Sequence, residues 1–451
     1  MTTLAGGLFL DWEHLTGQSK LVVDLISFPI FSAAAGLLTN WTGVIMLIWP
    51  LYFKGFYVPG LRVLYPYLPR RVQVLPIFST DASRLGFQGF IPARAEKMAS
   101  ICVDVAIMRI GSPKDFIEEL DLDSIADHIA DAISEQVQPT VDQVMMRENP
   151  DLWRAVPRQA RQLLYQRVQR ELPALARKSF RQLGDNVDQL IDIKQFVIRY
   201  LQQYPEILKD LLTTIAAPEL RFMVRIGLLG APFGVLLALY LQVHQHIPVW
   251  GWIPPWVIIL VAAALIGVVV NWIAVKVVFE PGDPQPRYRY PWKQALLAKR
   301  QPQAADDLAH ILAYEVLTLP NLVDELLDGP NGDKTRQLLE TLISEEIHRQ
   351  LGVTKNVVRT VFGARQFDNL KVGAAGVAVS LAPTVVSDEE FAREQAHKID
   401  EFAARKLRDL SPGEFMEMFY AAVEQDAWLL YVHGAVLGLG VGIIHLVLFG
   451  W

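Results

Sequence analysis

Four stretches of this chain, roughly residues 23 to 50, 222 to 243, 253 to 279 and 428 to 449, stay apolar long enough to cross a bilayer as helices. A hydrocarbon core about 30 Å thick takes about 20 helical residues at about 1.5 Å each. The competing reading, buried helices of one large soluble core, struggles with four such runs in one chain. The wider composition agrees with membrane burial: of 451 residues 52% are hydrophobic and 20% charged, and the mean hydropathy is +0.24. That balance disfavours a disordered chain or a plain soluble enzyme. A net charge of −6 leaves no basic face for nucleic acid.

The runs are related to one another. Asn40-Trp41 and Asn271-Trp272 hold the same place in the first and third, inside a shared G-x3-N-W-x2-V-x5-P pattern. The pattern also matches Gly36 to Gly267, Val44 to Val275 and Pro50 to Pro281, all at an offset of 231. Arg94 and Arg300 match at 206, Glu118 and Glu325 at 207, and Glu206 with Glu414, Gly230 with Gly438 and Gly234 with Gly442 at 208. The chain is therefore expected to be a tandem duplication. Pro50 to Arg94 is 44 positions and Pro281 to Arg300 is 19, so 25 extra residues follow the first span of the first copy. That stretch, LYFKGFYVPGLRVLYPYLPRRVQVLPIFS, mixes aromatics, prolines and arginines. It reads either as an element lying along the membrane surface or as an ordered loop of the adjoining domain.

The expected fold class is an all-α membrane protein of two tandem parallel repeats, each a helical cytoplasmic domain bracketed by two transmembrane helices. In order, the expectation is an N-terminal segment (1–22), a span (23–50), soluble domain 1 (51–221), a span (222–243), a short outer connection (244–252), a span (253–279), soluble domain 2 (280–427) and a last span (428–451). The start of the chain carries Asp11 and Glu13 ahead of Lys20, unlike a cleavable signal peptide, so the first span reads as an uncleaved anchor. Two crossings per copy relate the copies by a pseudo-two-fold along the membrane normal. Lys54, Arg62, Arg70, Arg71, Arg221, Arg225, Lys276, Arg287, Arg289, Lys293, Arg405, Lys406 and Arg408 all fall on the insert side, against little beyond Lys20 opposite. That bias places both inserts in the cytoplasm. Trp250, Trp252, Trp256 and Trp451 fit an aromatic belt on the outer face.

Both inserts read as helical. Ile125, Ile129, Ile133, Val137, Val141 and Val144 recur three or four apart, as do Leu338, Leu339, Leu342, Ile343, Ile347 and Leu351. Phe196, Val197, Tyr200, Leu201, Tyr204, Ile207, Leu208, Leu211 and Leu212 carry an amphipathic helix toward Arg221. Pro157, Pro173, Pro205, Pro320 and Pro412 are expected at helix boundaries. The apolar stretch from Val372 to Ala382 is too short to span; core packing is its stronger reading, a membrane-dipping segment the other.

Polar groups inside the runs are few. Asn40 and Asn271 sit about ten residues, hence about 15 Å, before the prolines that end their spans. An amide at that depth needs a partner. It either bonds across the pseudo-two-fold or to facing backbone and fixes packing with Trp41 and Trp272, or lines a polar path; packing is the stronger reading. Lys276 is close enough to its span end to snorkel, with an ion-pathway role as the weaker alternative. Gly230-x3-Gly234 and Gly438-x3-Gly442 offer small faces for close helix contact.

Searches for chemistry return nothing specific. There is no G-x4-G-K-[ST], H-E-x-x-H or G-x-S-x-G motif. The lone Cys102 excludes an internal disulfide, CxxC redox motifs and multi-cysteine metal sites. Asp328-Gly-Pro-Asn-Gly-Asp333 has Pro330 and Leu339 where a calcium loop needs oxygen ligands, so it is a turn. His244 and His246 flank the outer connection and read as solvated loop residues before metal ligands. Glu345-Glu346 and Glu389-Glu390 read as helix-surface acids. No catalytic residue, metal or cofactor is expected.

GLLTNWTGVIMLIWP with FIPARAEKMA, GVVVNWIAVKVVFEP with LLAKRQPQAADDLAHILAYEVL, and SPGEFMEMFYAAVEQDAWLLYVHGAVLGLGVGIIHLVLFG resemble bacterial membrane proteins of domain-of-unknown-function family 445, the YjiN-like and YheB-like group. The likeness covers nearly the whole chain; the first copy departs from the N-W-x-A-[VI]-K pattern at Thr42, Gly43 and Ile45. It implies a bacterial inner-membrane protein and brings no activity, cofactor or catalytic residue. Two functions remain: a non-enzymatic membrane-anchored scaffold that binds envelope lipid or an envelope protein, or a transporter, channel or lipid conduit at the repeat interface. With four spans and few charges, a polar conduit would need a homo-oligomer.

Overall fold

A computed structural model describes residues 12–73, 75–97, 100, 104, 114–115, 119–148, 150–244, 251–286, 291–351, 376, 388–424 and 427–450. Cys102, Arg287, Arg289, His246, Trp250, Trp451 and nearly all of Val372 to Ala382 lie outside them. The long elements in chain order are α1 (Lys20–Ile48), β1 (Lys54–Tyr57), β2 (Arg84–Phe87), α2 (Leu122–Glu148), α3 (Arg158–Asp185), α4 (Ile193–Gln203), α5 (Pro205–Arg225), α6 (Gly230–His244), α7 (Pro255–Phe279), α8 (Gln301–Ile311), α9 (Leu319–Asp328), α10 (Gly332–Leu351), α11 (Glu389–Arg408), α12 (Pro412–Glu424) and α13 (Ala427–Phe449). The chain is mostly helical. Among the described residues there is one ribbon, β1 paired antiparallel with β2 so that Gly55 opposes Gly86; it follows the first long apolar helix and is a departure from an all-α reading.

Among the described residues four helical segments are long and apolar enough to cross a membrane: α1, α5 continuing into α6 (Pro205–His244), α7 and α13. Each turns large apolar side chains outward: Ile30, Leu236, Leu265 and Val436 are all more than half exposed. An outward apolar face is what lipid solvates and water does not. The first and third spans stop just before their prolines, α1 with Trp49 as its cap and α7 with Glu280, and both following X–Pro peptides are cis.

The chain divides into two compact units. The first, residues 1–102, 201–307 and 410–451, holds the four spans; α1 packs on α6 and α7 on α13. The second joins residues 103–200 to 308–409, so parts of both inserts share one core. There α2 and α3 lie side by side, with Ile125, Ile129, Val137 and Val144 of α2 buried at the helical spacing that the sequence shows. Arg177 and Arg181 of α3 reach Asp127 and Asp123 of α2 in forked pairs, and the Arg181 guanidinium holds the Asp123 carboxyl below the usual carboxylate range. Residues of the two inserts also touch: His128 stacks on Phe391 at 4.0 Å, and Arg199 pairs with Glu325 at 2.6 Å.

Pro157, Pro205, Pro320 and Pro412 stand at helix starts. Pro173 does not; it lies inside α3, as Pro139 does inside α2. A proline costs one backbone bond and a local clash, and in this helix pair long packed faces hold the axis on either side. The amphipathic run toward Arg221 is broken at Tyr204 into α4 and α5 by Pro205. Glu414 closes a capping box with Ser411, bonding at 3.0 and 3.2 Å, whereas Glu206 sits beside Pro205; the helix starts align at Pro205 and Pro412, an offset of 207.

Candidate functional site

The asparagines face neighbouring backbone. Asn40 is 4% exposed and donates its amide to the Met223 carbonyl at 2.5 Å; Asn271 is also 4% exposed and donates to the Leu430 carbonyl at 2.6 Å. Donor to donor the offset is 231, and acceptor to acceptor it is 207. The first bond joins α1 to α5 and the second joins α7 to α13.

The glycines repeat this arrangement. Gly36 of α1 meets Gly227, and Gly267 of α7 meets Gly434; a Cβ at any of the four would overlap the opposing backbone. Gly230 faces the Ser32 carbonyl and Gly438 the Ala263 carbonyl, while Gly234 lies against Phe28 and Gly442 against Ala263 and Ile259. The first copy has three positions from Gly227 to Gly230 and the second has four from Gly434 to Gly438. Residues Ile226–Leu229 make up the difference by winding as a 3₁₀ helix, while α13 is α-helical throughout. At about 3 residues per turn a 3₁₀ helix stacks i on i+3, so both glycines still face α1. Such contacts let backbones approach where no hydrophobic force drives helices together in lipid.

Trp41 and Trp272 turn away, 53% and 41% exposed. Adjacent helical side chains point about 100° apart, so when the asparagine faces its partner the tryptophan cannot. Lys276 pairs with Glu280 at 2.5 Å, and its Nζ lies 5.7 Å from the Tyr420 ring centroid. Burial and the Glu280 carboxylate push the Tyr420 phenol above its ordinary value. Pro50 and Pro281 each offer a carbonyl to the returning chain, accepting from Gly89 N at 2.9 Å and Ala295 N at 2.8 Å. Arg300 holds both carboxylate oxygens of the buried Glu219 at 2.8 and 2.9 Å.

One opening along the spans, of about 260 Å³, is lined by Trp12, Val22, Val23, Ile26, Ile30 and Phe31 and by Phe449. A gap of about 20 Å³ lies among Phe28, Ala35, Ile259, Gly438 and His445, room for about one water. His445 stacks on Phe28 at 4.1 Å and shares a hydrogen bond with Ser27 at 3.0 Å. His244, read from sequence as a solvated loop residue, is instead the last described residue of α6, 1% exposed with Nε2 at 2.9 Å from the Ile253 oxygen. Glu346, read as a surface acid, is buried against Arg349 at 2.6 Å; Glu345 next to it is exposed. Among the described residues no group of three or more His, Cys, Asp or Glu side chains is disposed to hold a metal.

The second unit contains a different kind of space. A cavity of about 110 Å³ is walled by Ile129 and Ile133 of α2, Leu172, Leu175, Ala176, Phe180 and Leu183 of α3, Leu326 and Leu327 of α9, and Leu339 and Ile343 of α10. Almost all of its exposed wall is apolar. Thr335 is the polar exception with Ser179: it is fully buried and its Oγ1 has no hydrogen-bond partner among the described residues. A hydroxyl in that state costs about 1–3 kcal/mol. Sequence periodicity marks Ile129, Leu339 and Ile343 as core, but four helices leaving a space between them is a property of their mutual distances, which periodicity does not carry.

No family model, no curated protein and no solved structure matches the chain.

Proposed function

We propose that this protein is a non-enzymatic membrane-anchored scaffold whose helical unit binds the acyl chain of an envelope lipid. One observation carries the reading: the apolar cavity in the second unit, with a buried hydroxyl at its wall lacking a partner. Engineered apolar cavities of about 150 Å³ stay dry and take up small apolar ligands, and a chain end with an ester or carboxyl nearby would give Thr335 an acceptor. In a four-span protein, lipid is the most abundant apolar ligand within reach.

The same proposal includes two tandem parallel repeats, supported by the paired asparagine and glycine contacts at matching offsets. Placement of both inserts on one face is supported by their shared core, and a cytoplasmic face of a bacterial inner membrane by the lysine and arginine bias and the resemblance to family 445. A conduit within a single chain is less well supported, since both asparagines donate to backbone and the gap among Phe28, Ala35, Ile259, Gly438 and His445 holds about one water.

A diazirine-bearing fatty acid crosslinked to the full-length protein in nanodiscs tests the reading. Labelled peptides should map to Leu172–Leu183 and Val323–Ile343, and Ala176→Phe, which fills the cavity, should remove them while leaving span labelling intact. Labelling confined to the spans, or cavity labelling indifferent to Ala176→Phe in a folded variant, would count against it.

A further inference from the structure

The extra residues of the first copy form a platform that turns apolar side chains outward beside exposed Lys54, Arg62 and Arg70. Phe56, Tyr57, Val63 and Leu64 are 62–70% exposed and Tyr67 is 85% exposed, all within a dozen positions. Part-buried hydrogen bonds hold its fold: Tyr65 donates to the Gln73 carbonyl at 2.7 Å, and the Gln73 amide donates to the Leu68 carbonyl at 2.8 Å.

Two further observations say what covers this surface. First, the platform is clamped to the end of a span. Lys54 Nζ lies 4.8 Å from the Trp49 ring centroid, Gly89 donates to the Pro50 carbonyl at 2.9 Å, and Gln88 donates to the Leu51 carbonyl at 2.8 Å. Trp49 caps α1, so both ends of the ribbon are held at the level where α1 leaves the bilayer. Second, residues 51–80 contain Lys54, Arg62, Arg70 and Arg71 and no acidic residue. Aromatic side chains interleaved with basic ones at that level match the headgroup zone of an anionic leaflet.

We propose that residues 51–80 dock into the anionic headgroup region of the leaflet in which α1 ends, with Tyr57, Val63, Leu64 and Tyr67 entering it. The second copy lacks these residues, so the device makes one repeat, and not the other, responsive to lipid charge. The inference rests on α1 crossing the bilayer and is independent of the acyl-chain cavity.

The test uses the full chain in a Cys102→Ser background, spin-labelled at Tyr67→Cys, with Ile30→Cys on the outward face of α1 and Leu163→Cys on α3 as references; these two positions are 59% and 68% exposed. In phosphatidylcholine–phosphatidylglycerol vesicles the label at 67 should collide with oxygen in preference to a water-soluble nickel chelate, as at 30 and unlike 163. In phosphatidylcholine alone its preference should shift toward the chelate. Val63→Cys gives a second position should Tyr67→Cys fold poorly. A label at 67 as chelate-accessible as at 163, with 30 still in lipid, would overturn docking and leave the span intact. A label at 30 in water would remove the span as well. A lipid-facing label at 67 indifferent to lipid charge would overturn the anionic selectivity.

Discussion

The Asn271 amide reaches the Leu430 carbonyl at 2.6 Å across a contact where Gly267 and Gly434 bring two backbones together. A side chain on Gly434 would collide with the amide as well as with Gly267, so close approach and hydrogen bond depend on the same missing Cβ. In α1 the Asn40 bond to Met223 lies close to the Gly36–Gly227 contact, where a Cβ on Gly227 would meet Gly36 and Leu37 backbone.

The two asparagines should differ in cost when replaced. Interhelical bonds in membranes average about 0.6 and reach about 1.7 kcal/mol, so Asn40→Leu should destabilise by that order. Asn271→Leu should cost less, because it also removes an oxygen, Oδ1, that is buried without a partner. Unfolding in mixed SDS micelles gives both values; an equal or larger cost at 271 would contradict the assignment.

Two glycines two positions apart should respond oppositely. A Cβ at Gly438 overlaps the Ala263 carbonyl, whereas one at Gly440 meets nothing within 4 Å. Gly438→Ala should cost about 1–3 kcal/mol by overpacking. Gly440→Ala should be neutral or stabilising by up to about 1 kcal/mol through helix propensity. The same unfolding assay compares them.

The tightened turn at Ile226–Leu229 predicts tolerance to an insertion. One alanine added after Leu228 gives the first copy the four-position spacing of the second and should convert the turn to α-helix with the protein still folded. One alanine added after Leu236 rotates the rest of α6 by about 100° and should abolish the folded peak in size-exclusion chromatography. Equal loss from both would refute the account of the turn.

Arg300 compensates a carboxylate that is 2% exposed. Arg300→Ala should therefore destabilise by about 3–5 kcal/mol, the cost of leaving a buried charge alone. Adding Glu219→Leu should recover most of it. A double variant as unstable as the single one would show that the pair's role is something other than charge compensation.

The four long apolar helices were legible because a span's length and polarity are written in every residue, and Asn40, Asn271, Pro50 and Pro281 stood out as rare types in apolar sequence. Met223 and Leu430 were not, since a backbone acceptor leaves no mark on residue type. Gly227 and Gly434 escaped because their spacing to the next glycine differs between copies. The interfacial stretch was legible in composition, but its outward aromatics depend on the β1–β2 clamp. The cavity and the joint core of the inserts depend on distances between segments over a hundred residues apart.

That joint core gives the most direct test of the account. Residues 103–200 and 308–409 form one unit, which two domains on opposite sides of a bilayer cannot do. With Cys102→Ser as background, single cysteines at Leu163 and Glu389, both exposed, should react with an impermeant maleimide from the same side of sealed, oriented vesicles. Labelling of the two positions from opposite sides would contradict the topology and the repeat architecture built on it.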